Sequence, residues 1–555
     1  MDPVSMSDEN PTREPRPAAD GAGQSRASAA RDALGKAHLA RPNLNRPNLN
    51  RAALGRAAQA GAGTGRRLQV AVAVFVALGA GVAYAYAASP AAGKAQTVAA
   101  AKSTPVRTAT LACPEVTGNN ATVNAITPAD AAGGLTPATG DKATVTALGG
   151  KAPVATLTKT GTLSVNTGLS GNAPSLNQPS TPVIGQATGV YAPGFTLTET
   201  LPSGGTTGTH GVASTPCTAP DTDFWYLGAD PSKGTAQVNL FNTDQIAAQA
   251  NVSVYTPTGP LGTGTSDAGQ GLLVQPGNQY DHPVDLSTFN ATATGPFAVH
   301  VVATAGRVVG ALLDSDGAGG RDFIQAQKPA AHLLLPGVPA PSAKPASPMK
   351  LQLILFSPNT DTDVSLHWIG GSRIVPTTQP PHLTAGQVKT VDISTVPAAG
   401  EAGALQVDST NNVPILAEIK VTAEGGSDTA YLSPVSALAG EGVVADDDSG
   451  SVIQLTNNSA QSAQVVVTVE SATGAPTPQT VTVPGMTTKA VTVQAPKGAT
   501  SFAVSVVPQG GAASIYAARV MQGGGMLTIQ PIATALETVQ IPAVHGDLSG
   551  SVPQS

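Results

Sequence analysis

Apolar and polar residues alternate with a period of two along much of the chain after residue 220, as in ANVSVYT and AQVVVTVE. Such alternation is the mark of strands with one buried face. It places Val252 and Val254 on such a face, and their counterparts Val465, Val467 and Val469 likewise. A second sheet has to cover that face, so paired sheets are expected.

The alternation recurs in three parallel segments. The first reads AQVNLFNTDQIAAQANVSVYTPTG, LLVQPGNQYDHPVDL and GPFAVHVVATAGRVVGALL. The second reads KLQLILFSPNTDTDVSLHWIGG, HLTAGQVKTVDI and GALQVDSTNNVPILAEI, and the third SVIQLTNNSAQSAQVVVTVESATG, VTVPGMTTKAVTV and TSFAVSVVPQGGAASIYAARV. Asn242, Asn359 and Asn457 fall where the first strand of each turns, a place where Asn can bond the local backbone. Pro276-Gly277, Ala385-Gly386 and Pro484-Gly485 share a hairpin position, and Phe297-Ala298-Val299 recurs as Phe502-Ala503-Val504. A Gly pair follows each last long hairpin: Gly319-Gly320, Gly425-Gly426 and Gly523-Gly524. The spacing of roughly 100–110 residues is that of an immunoglobulin-like sandwich, the fold expected here. The alternative is a β-propeller in which each repeat supplies two four-stranded blades.

A different pattern opens the chain. Val70 to Ala88 is a run of 19 uncharged residues, close to the roughly 20 that cross a bilayer as a helix. Before it, residues 33–67 carry Lys36, Arg41, Arg46, Arg51, Arg56, Arg66 and Arg67 and no acid. The positive-inside rule then puts the N-terminus in the cytoplasm and the bulk of the chain outside. Ala85-Tyr86-Ala87 is also a small-x-small site for a signal peptidase, but the long preceding region and the long apolar run favour a retained anchor. The expected organisation is a disordered basic tail over 1–67, a transmembrane helix over 68–88 and a linker over 89–112. A disulfide-closed β-rich region over 113–222 follows, then sandwich repeats over 223–330, 331–437 and 438–545 and a polar tail over 546–555.

Composition agrees with many short strands joined by turns: charged residues are only 12% of the chain, with 61 Gly and 46 Pro. A net charge of −6 provides no basic field, so nucleic acid is not an expected partner. Cys113 and Cys217 are the only cysteines, and on the outer side of a membrane they are expected to form a disulfide rather than two buried thiols.

After Cys217 the chain reads CTAPDTDFWYLGADPSKGTAQVNLFNTD. The cysteine, DFWYLGAD and the LFNTD turn resemble an actinobacterial family of secreted or membrane-anchored proteins catalogued only as a domain of unknown function. The resemblance runs from about Cys113 to Val544 and implies an exported β architecture, with no catalytic residue or cofactor attached. The long Arg-rich tail departs from the short signal-like start expected of that family.

Catalytic motifs are missing: there is no Gly-x-Ser-x-Gly elbow, Walker loop or His-Glu-x-x-His, and Ala268 stands where GTGTSDAG would need its closing Gly. No cofactor and no catalytic residue is expected. His300 alternates with valines and reads as a satisfied polar-face histidine. Asp314-x-Asp316, Asn359-x-Asp361-x-Asp363 and Asp446-Asp447-Asp448 are acidic clusters without a full calcium-loop pattern, so turn carboxylates are expected rather than a metal site. Trp225 and Tyr226 are adjacent, so they face opposite sides of a strand; core packing is expected of them, and the alternative is that one exposed ring is a carbohydrate contact. The function expected is a non-enzymatic scaffold, spacer or adhesion protein of the bacterial envelope, held to the membrane by one helix. The alternative is a glycan-binding accessory of wall or exopolysaccharide assembly. Its partners would be cell-wall glycan or another envelope protein.

Overall fold

The computed structural model describes residues 102–541 except 114–121, 128–134, 149–154, 158–181, 202–210, 262–268, 278–282, 291, 317–319, 346, 371–373, 377–379, 427, 448–450, 472–474, 500 and 511–513. All described residues belong to one compact unit spanning Val98–Ser555. The basic tail, the apolar stretch 68–88 and the polar tail 546–555 lie outside the described residues. Among the described residues no helix is long and apolar enough to cross a membrane.

The chain is mainly β. Strand β1 (Lys102–Pro105) stands apart, and four groups of strands follow. Group I has β2 (Thr108–Cys113), β3 (Thr122–Ile126), β4 (Ala143–Ala147), β5 (Ala155–Leu157), β6 (Val183–Thr188), β7 (Thr196–Leu201) and β8 (Ala213–Pro216). Group II has β9 (Asp223–Ala229), β10 (Gly234–Phe241), β11 (Ala248–Thr256), β12 (Gly259–Pro260), β13 (Leu272–Val274), β14 (Val284–Asp285), β15 (Phe297–Ala305), β16 (Val309–Asp316) and β17 (Arg321–Ile324). Group III has β18 (His332–Val338), β19 (Lys350–Phe356), β20 (Thr362–Ile369), β21 (Ile374–Pro376), β22 (His382–Leu383), β23 (Val388–Asp392), β24 (Gly403–Ser409), β25 (Leu416–Thr422) and β26 (Thr429–Leu432). Group IV has β27 (Gly442–Asp447), β28 (Ser451–Asn457), β29 (Ala463–Glu470), β30 (Thr477–Val483), β31 (Thr487–Thr492), β32 (Ser501–Gln509), β33 (Ile515–Gly523) and β34 (Met526–Ile532), before a final β35 (Thr538–Ile541).

One topology is used throughout. In group IV the two sheets run β27-β32-β29-β30 and β31-β28-β33-β34. Group III repeats them as β18-β24-β20-β21 and β23-β19-β25-β26, and group II as β9-β15-β11-β12 and β14-β10-β16-β17. Group I has β2-β6-β4-β5 and β3-β7-β8, the same order with one strand fewer among the described residues. The region set apart in the sequence is thus a fourth copy by strand order. Among the described residues no sheet closes into a barrel, and none is the meander of consecutive strands from which a propeller blade is built.

In each group both sheets feed one hydrophobic core, as the alternation requires. β11 buries Ala248, Ala250, Val252 and Val254 against β10 residues such as Val238 and Leu240. In group IV, Val465 and Val467 of β29 meet Ile453 and Leu455 of β28. Group I is poorer in large side chains, packing Val123, Ala125, Ala143 and Val145 beside Leu197 and Leu201.

The turn asparagines correct one expected correspondence. Asn242 Nδ2 donates to Ile246 O at 2.6 Å and Val274 O at 3.1 Å, and Asn457 Nδ2 does the same to Gln461 O and Val483 O at 2.7 and 3.0 Å. In group III that place is taken by Ser357, whose Oγ donates to Thr360 O at 2.5 Å, while Asn359 is exposed two residues on. The shorter hydroxyl closes only the local turn.

The groups interlock through their last strands. β8, β17, β26 and β34 touch in a closed cycle, each meeting the next and β34 meeting β8. At one register position each last strand sends a side chain into the preceding group's core. Phe323, opposite Leu313, enters the core of I; Tyr431, opposite Lys420, that of II; and Ile529, opposite Val520, that of III. The fourth position is held by Ser214, opposite Thr200. The cycle is clasped by β1 and β35, paired antiparallel with Lys102 opposite Ile541 and Pro105 opposite Thr538.

Candidate functional site

The four last strands meet around a buried polar junction. Asp428, just before β26, is 1% exposed. Its Oδ2 accepts from Val212 N at 3.1 Å and Leu527 N at 2.8 Å, and its Oδ1 from Thr429 N at 2.8 Å. With the backbone N–H of Arg321 it gathers a donor from each of the four groups. Gly211 makes room for it: at φ +111°, a Cβ would lie 2.2 Å from Asp428 Oδ1. Burial pushes the Asp428 carboxyl up to about 6 against the pull of these donors.

Asp322 lies beside it in β17. Its Oδ2 accepts from Tyr431 N at 3.1 Å, and its Oδ1 from Phe323 N at 2.9 Å and Thr528 Oγ1 at 3.3 Å. Complete burial raises its carboxyl well above the usual range, and the charge of Asp428 adds to that. Ser214 N donates to Thr528 Oγ1 at 3.1 Å, carrying the network into the seam between I and IV. There Arg519 Nη2 donates to Ser214 Oγ at 2.5 Å and Gln530 Oε1 at 3.0 Å, and its Nη1 donates to Ala445 O. Asp446 Oδ1 stands 3.9 Å from Arg519 Nη1 and accepts from Ser451 Oγ at 2.7 Å.

Two more acids close the boundary between II and III. Tyr431 Oη donates to Asp314 Oδ2 at 2.5 Å, Lys420 Nζ lies 3.7 Å from the same oxygen, and Asp230 N donates to Oδ1 at 3.0 Å. Glu418 Oε2 accepts from Gln327 Nε2 at 3.1 Å and Ser433 Oγ at 2.7 Å. Burial raises both carboxyls. These carboxylates are spent on backbone and side-chain donors of neighbouring strands, which makes them joints of the assembly.

Beside the junction lies a cleft of about 360 Å³ whose walls come from all four groups. Tyr226, Leu312 and Phe323 on its walls are buried, whereas Ala326, Ala533, Thr534 and Leu536 are exposed. No charged or histidine side chain is among its described lining residues; its polar side chains are those of Thr, Gln and Tyr. Two of its lining residues carry a polar atom that is shut off from solvent and makes no hydrogen bond with any described residue, Tyr226 Oη and Gln325 Nε2. A notional Cβ on Gly310 would lie 2.7 Å from Tyr226 Oη and 2.5 Å from the Phe224 ring, so bare backbone at Gly310 admits the phenol. A second cleft, of about 720 Å³ between II and III, has a charged lining that includes Lys233, Lys350, Lys420, Asp230 and Asp392.

Trp225 does not form the open aromatic face considered from the sequence. It is 6% exposed, its indole stacked on the His300 ring at 3.8 Å with 8° between planes. Tyr255 and Phe356 pack around it, in an apolar cluster joining II to III with Leu227, Ile354 and Leu416. The strand's alternation holds, and a neighbouring group covers the outer face, so Trp225 packs in a core, as expected of it. Tyr226 packs in the core of II and is among the lining residues of the first cleft. His300 Nε2 lies 2.8 Å from Asp223 Oδ1. Cys113 and Cys217 form a disulfide, 104 residues apart in sequence.

The acidic clusters are scattered by the fold. Asp314 is buried under Tyr431, while Asp316 Oδ2 accepts from Thr429 Oγ1 at 3.0 Å. Asp361 accepts from Ala385 N at 2.8 Å, Asp363 lies 2.8 Å from His382 Nδ1, and Asp446 faces Arg519. Among the described residues no group of three or more His, Cys, Asp or Glu is placed to hold a metal ion.

Sequence reasoning passed over Asp322, Asp428, Arg519 and Ser214. The first two carried a readable signal, since Gly319-Gly320-Arg321-Asp322 and Gly425-Gly426-Ser427-Asp428 repeat a Gly-Gly-x-Asp step. Arg519 is a lone charge in the otherwise apolar AARVM. Ser214 carried none.

Residues 170–494, more than half of the chain, match a family described as a family of unknown function, DUF5719, and the chain belongs to that family. The match is narrower than the resemblance read from Cys113 to Val544. No curated protein matches the chain.

Proposed function

We propose that this chain is a membrane-tethered, extracytoplasmic and non-enzymatic platform of the bacterial cell envelope. In this reading each two-sheet group is an immunoglobulin-like sandwich, the 68–88 stretch is the retained anchor, and the basic tail stays in the cytoplasm. The observation that carries it is the junction at Asp428, where one carboxylate accepts backbone N–H groups from all four groups. Independent beads on a string need no such joint. A rigid body that holds surfaces at fixed angles does, and a disulfide between Cys113 and Cys217 suits an oxidising compartment.

Protease treatment of intact cells expressing the full chain, tagged at both ends, tests it. The account expects loss of the C-terminal tag with protection of the N-terminal one; protection of the C-terminal tag contradicts it. Glycan binding is the second reading, favoured by the uncharged cleft. Its test is retention of the full chain on cell-wall fractions.

A further inference from the structure

We propose that Lys420 and Asp314 condense into an amide, a covalent cross-link between β25 of group III and β16 of group II formed with loss of one water. The inference goes beyond the platform reading and does not depend on the tether.

Lys420 Nζ and Asp314 Oδ2 stand 3.7 Å apart, too far for a hydrogen bond, although Asp314 is 3% exposed and the lysine side chain is mostly buried. A buried ion pair at that distance is poorly compensated for its lost hydration, and an amide removes both charges. The groups that such a condensation needs surround the pair. Asp230 N donates to Asp314 Oδ1 at 3.0 Å, where negative charge gathers when an amine adds to the carboxyl carbon. Tyr431 Oη donates to Oδ2 at 2.5 Å, the oxygen that has to leave. The Tyr431 ring also lies under the lysine, 5.3 Å from Nζ, and keeps the flexible stem over the acid. Lys420 lines the open cleft between II and III, which gives the released water an exit.

Burial favours the neutral forms of both groups and raises the Asp314 carboxyl. The ammonium therefore hands one proton to Asp314, leaving an amine beside a carboxylic acid. Nζ attacks Cγ and the N–C bond forms, with Oδ1 held by the Asp230 N–H. The Cγ–Oδ2 bond then breaks. Oδ2 leaves as water, carrying the acid proton and a second proton from Nζ, and the amide keeps the third. The Asp230 carboxylate lines the same cleft as Lys420 and can relay that second proton. Two other ion pairs mark the contrast. Lys328 and Asp221 are both exposed, so water keeps them charged, and Arg519 beside Asp446 is buried, but a guanidinium that stays protonated is no nucleophile.

Tryptic digestion of the denatured, purified full chain, read by mass spectrometry, tests the proposal. The digest should contain 308–321 joined to 390–489, uncut after Lys420 and one water lighter than the two peptides together. Fragmentation should place the link between Asp314 and Lys420. Lys420→Arg keeps the cation and removes the nucleophile, so its digest should give peptides of full mass, cut after position 420. Full-mass peptides cut after Lys420 in the wild type overturn the proposal, and that result needs no variant. A lost water that maps to other residues, or a linked species that survives Lys420→Arg, overturns it equally.

Discussion

Arg519 in β33 donates from Nη2 to Ser214 Oγ in β8 at 2.5 Å, joining residues 305 positions apart. Ser214 holds the register position filled by Phe323, Tyr431 and Ile529 in the other groups. Three of the four joints are therefore plugged by an apolar side chain and the fourth is bonded by polar groups. The polar joint is the one that closes the cycle between the first and last groups. Apolar plugs mate in chain order, whereas the closing joint joins the two ends of the assembly and is read by directional bonds, which reject a wrong register.

Removing Arg519 should open that joint. Arg519→Ala takes the cation from the buried Asp446, and loss of one partner of a buried pair costs about 3–5 kcal/mol. Denaturant unfolding of the full chain checks it. A loss near zero would mean that the seam is not a joint.

Stability should fall as pH rises. Burial raises the carboxyls of Asp428, Asp322 and Glu418, so the folded state binds their protons more tightly than the unfolded chain does. Their contribution is fully present below the unfolded carboxylate range near 4; that of Asp428 is lost as pH climbs through about 6, and Asp322 and Glu418 act in the same direction. Calorimetry should give a higher melting temperature at pH 5 than at pH 7.5. The opposite slope would show that the donors around Asp428 outweigh its burial.

The disulfide should stabilise group I by restricting the unfolded chain. For a separation of 104 residues the chain-entropy model gives up to about 4.7 kcal/mol. Cys113→Ser with Cys217→Ser should lower unfolding stability by a large part of that, and reducing agent should then have no further effect.

How much of this could be read from the sequence depended on side-chain size. Groups II to IV were legible because Val, Leu and Trp alternate with polar residues along β11, β20 and β29. Group I was not, because β3 and β4 alternate through small residues such as Ala125, Ala143 and Thr146. Trp225 was legible as a large ring on a strand, but its cover by Phe356 comes from another group, a contact no local pattern encodes. The Asp428 joint is of the same kind. Its Gly-Gly-x-Asp step is visible, yet three of its four backbone donors lie in other groups.

The closed cycle is tested most directly at its clasp. Ser103 and Gln540 are exposed cross-strand partners in β1 and β35. Facing Cα atoms in antiparallel strands stand about 4.5–5.5 Å apart, within disulfide reach. In the full chain carrying Ser103→Cys and Gln540→Cys, mild oxidation should give an intramolecular cross-link in nearly every molecule and raise the melting temperature. Cysteines that stay free, or that link only between chains, would contradict a ring closed by its own two ends.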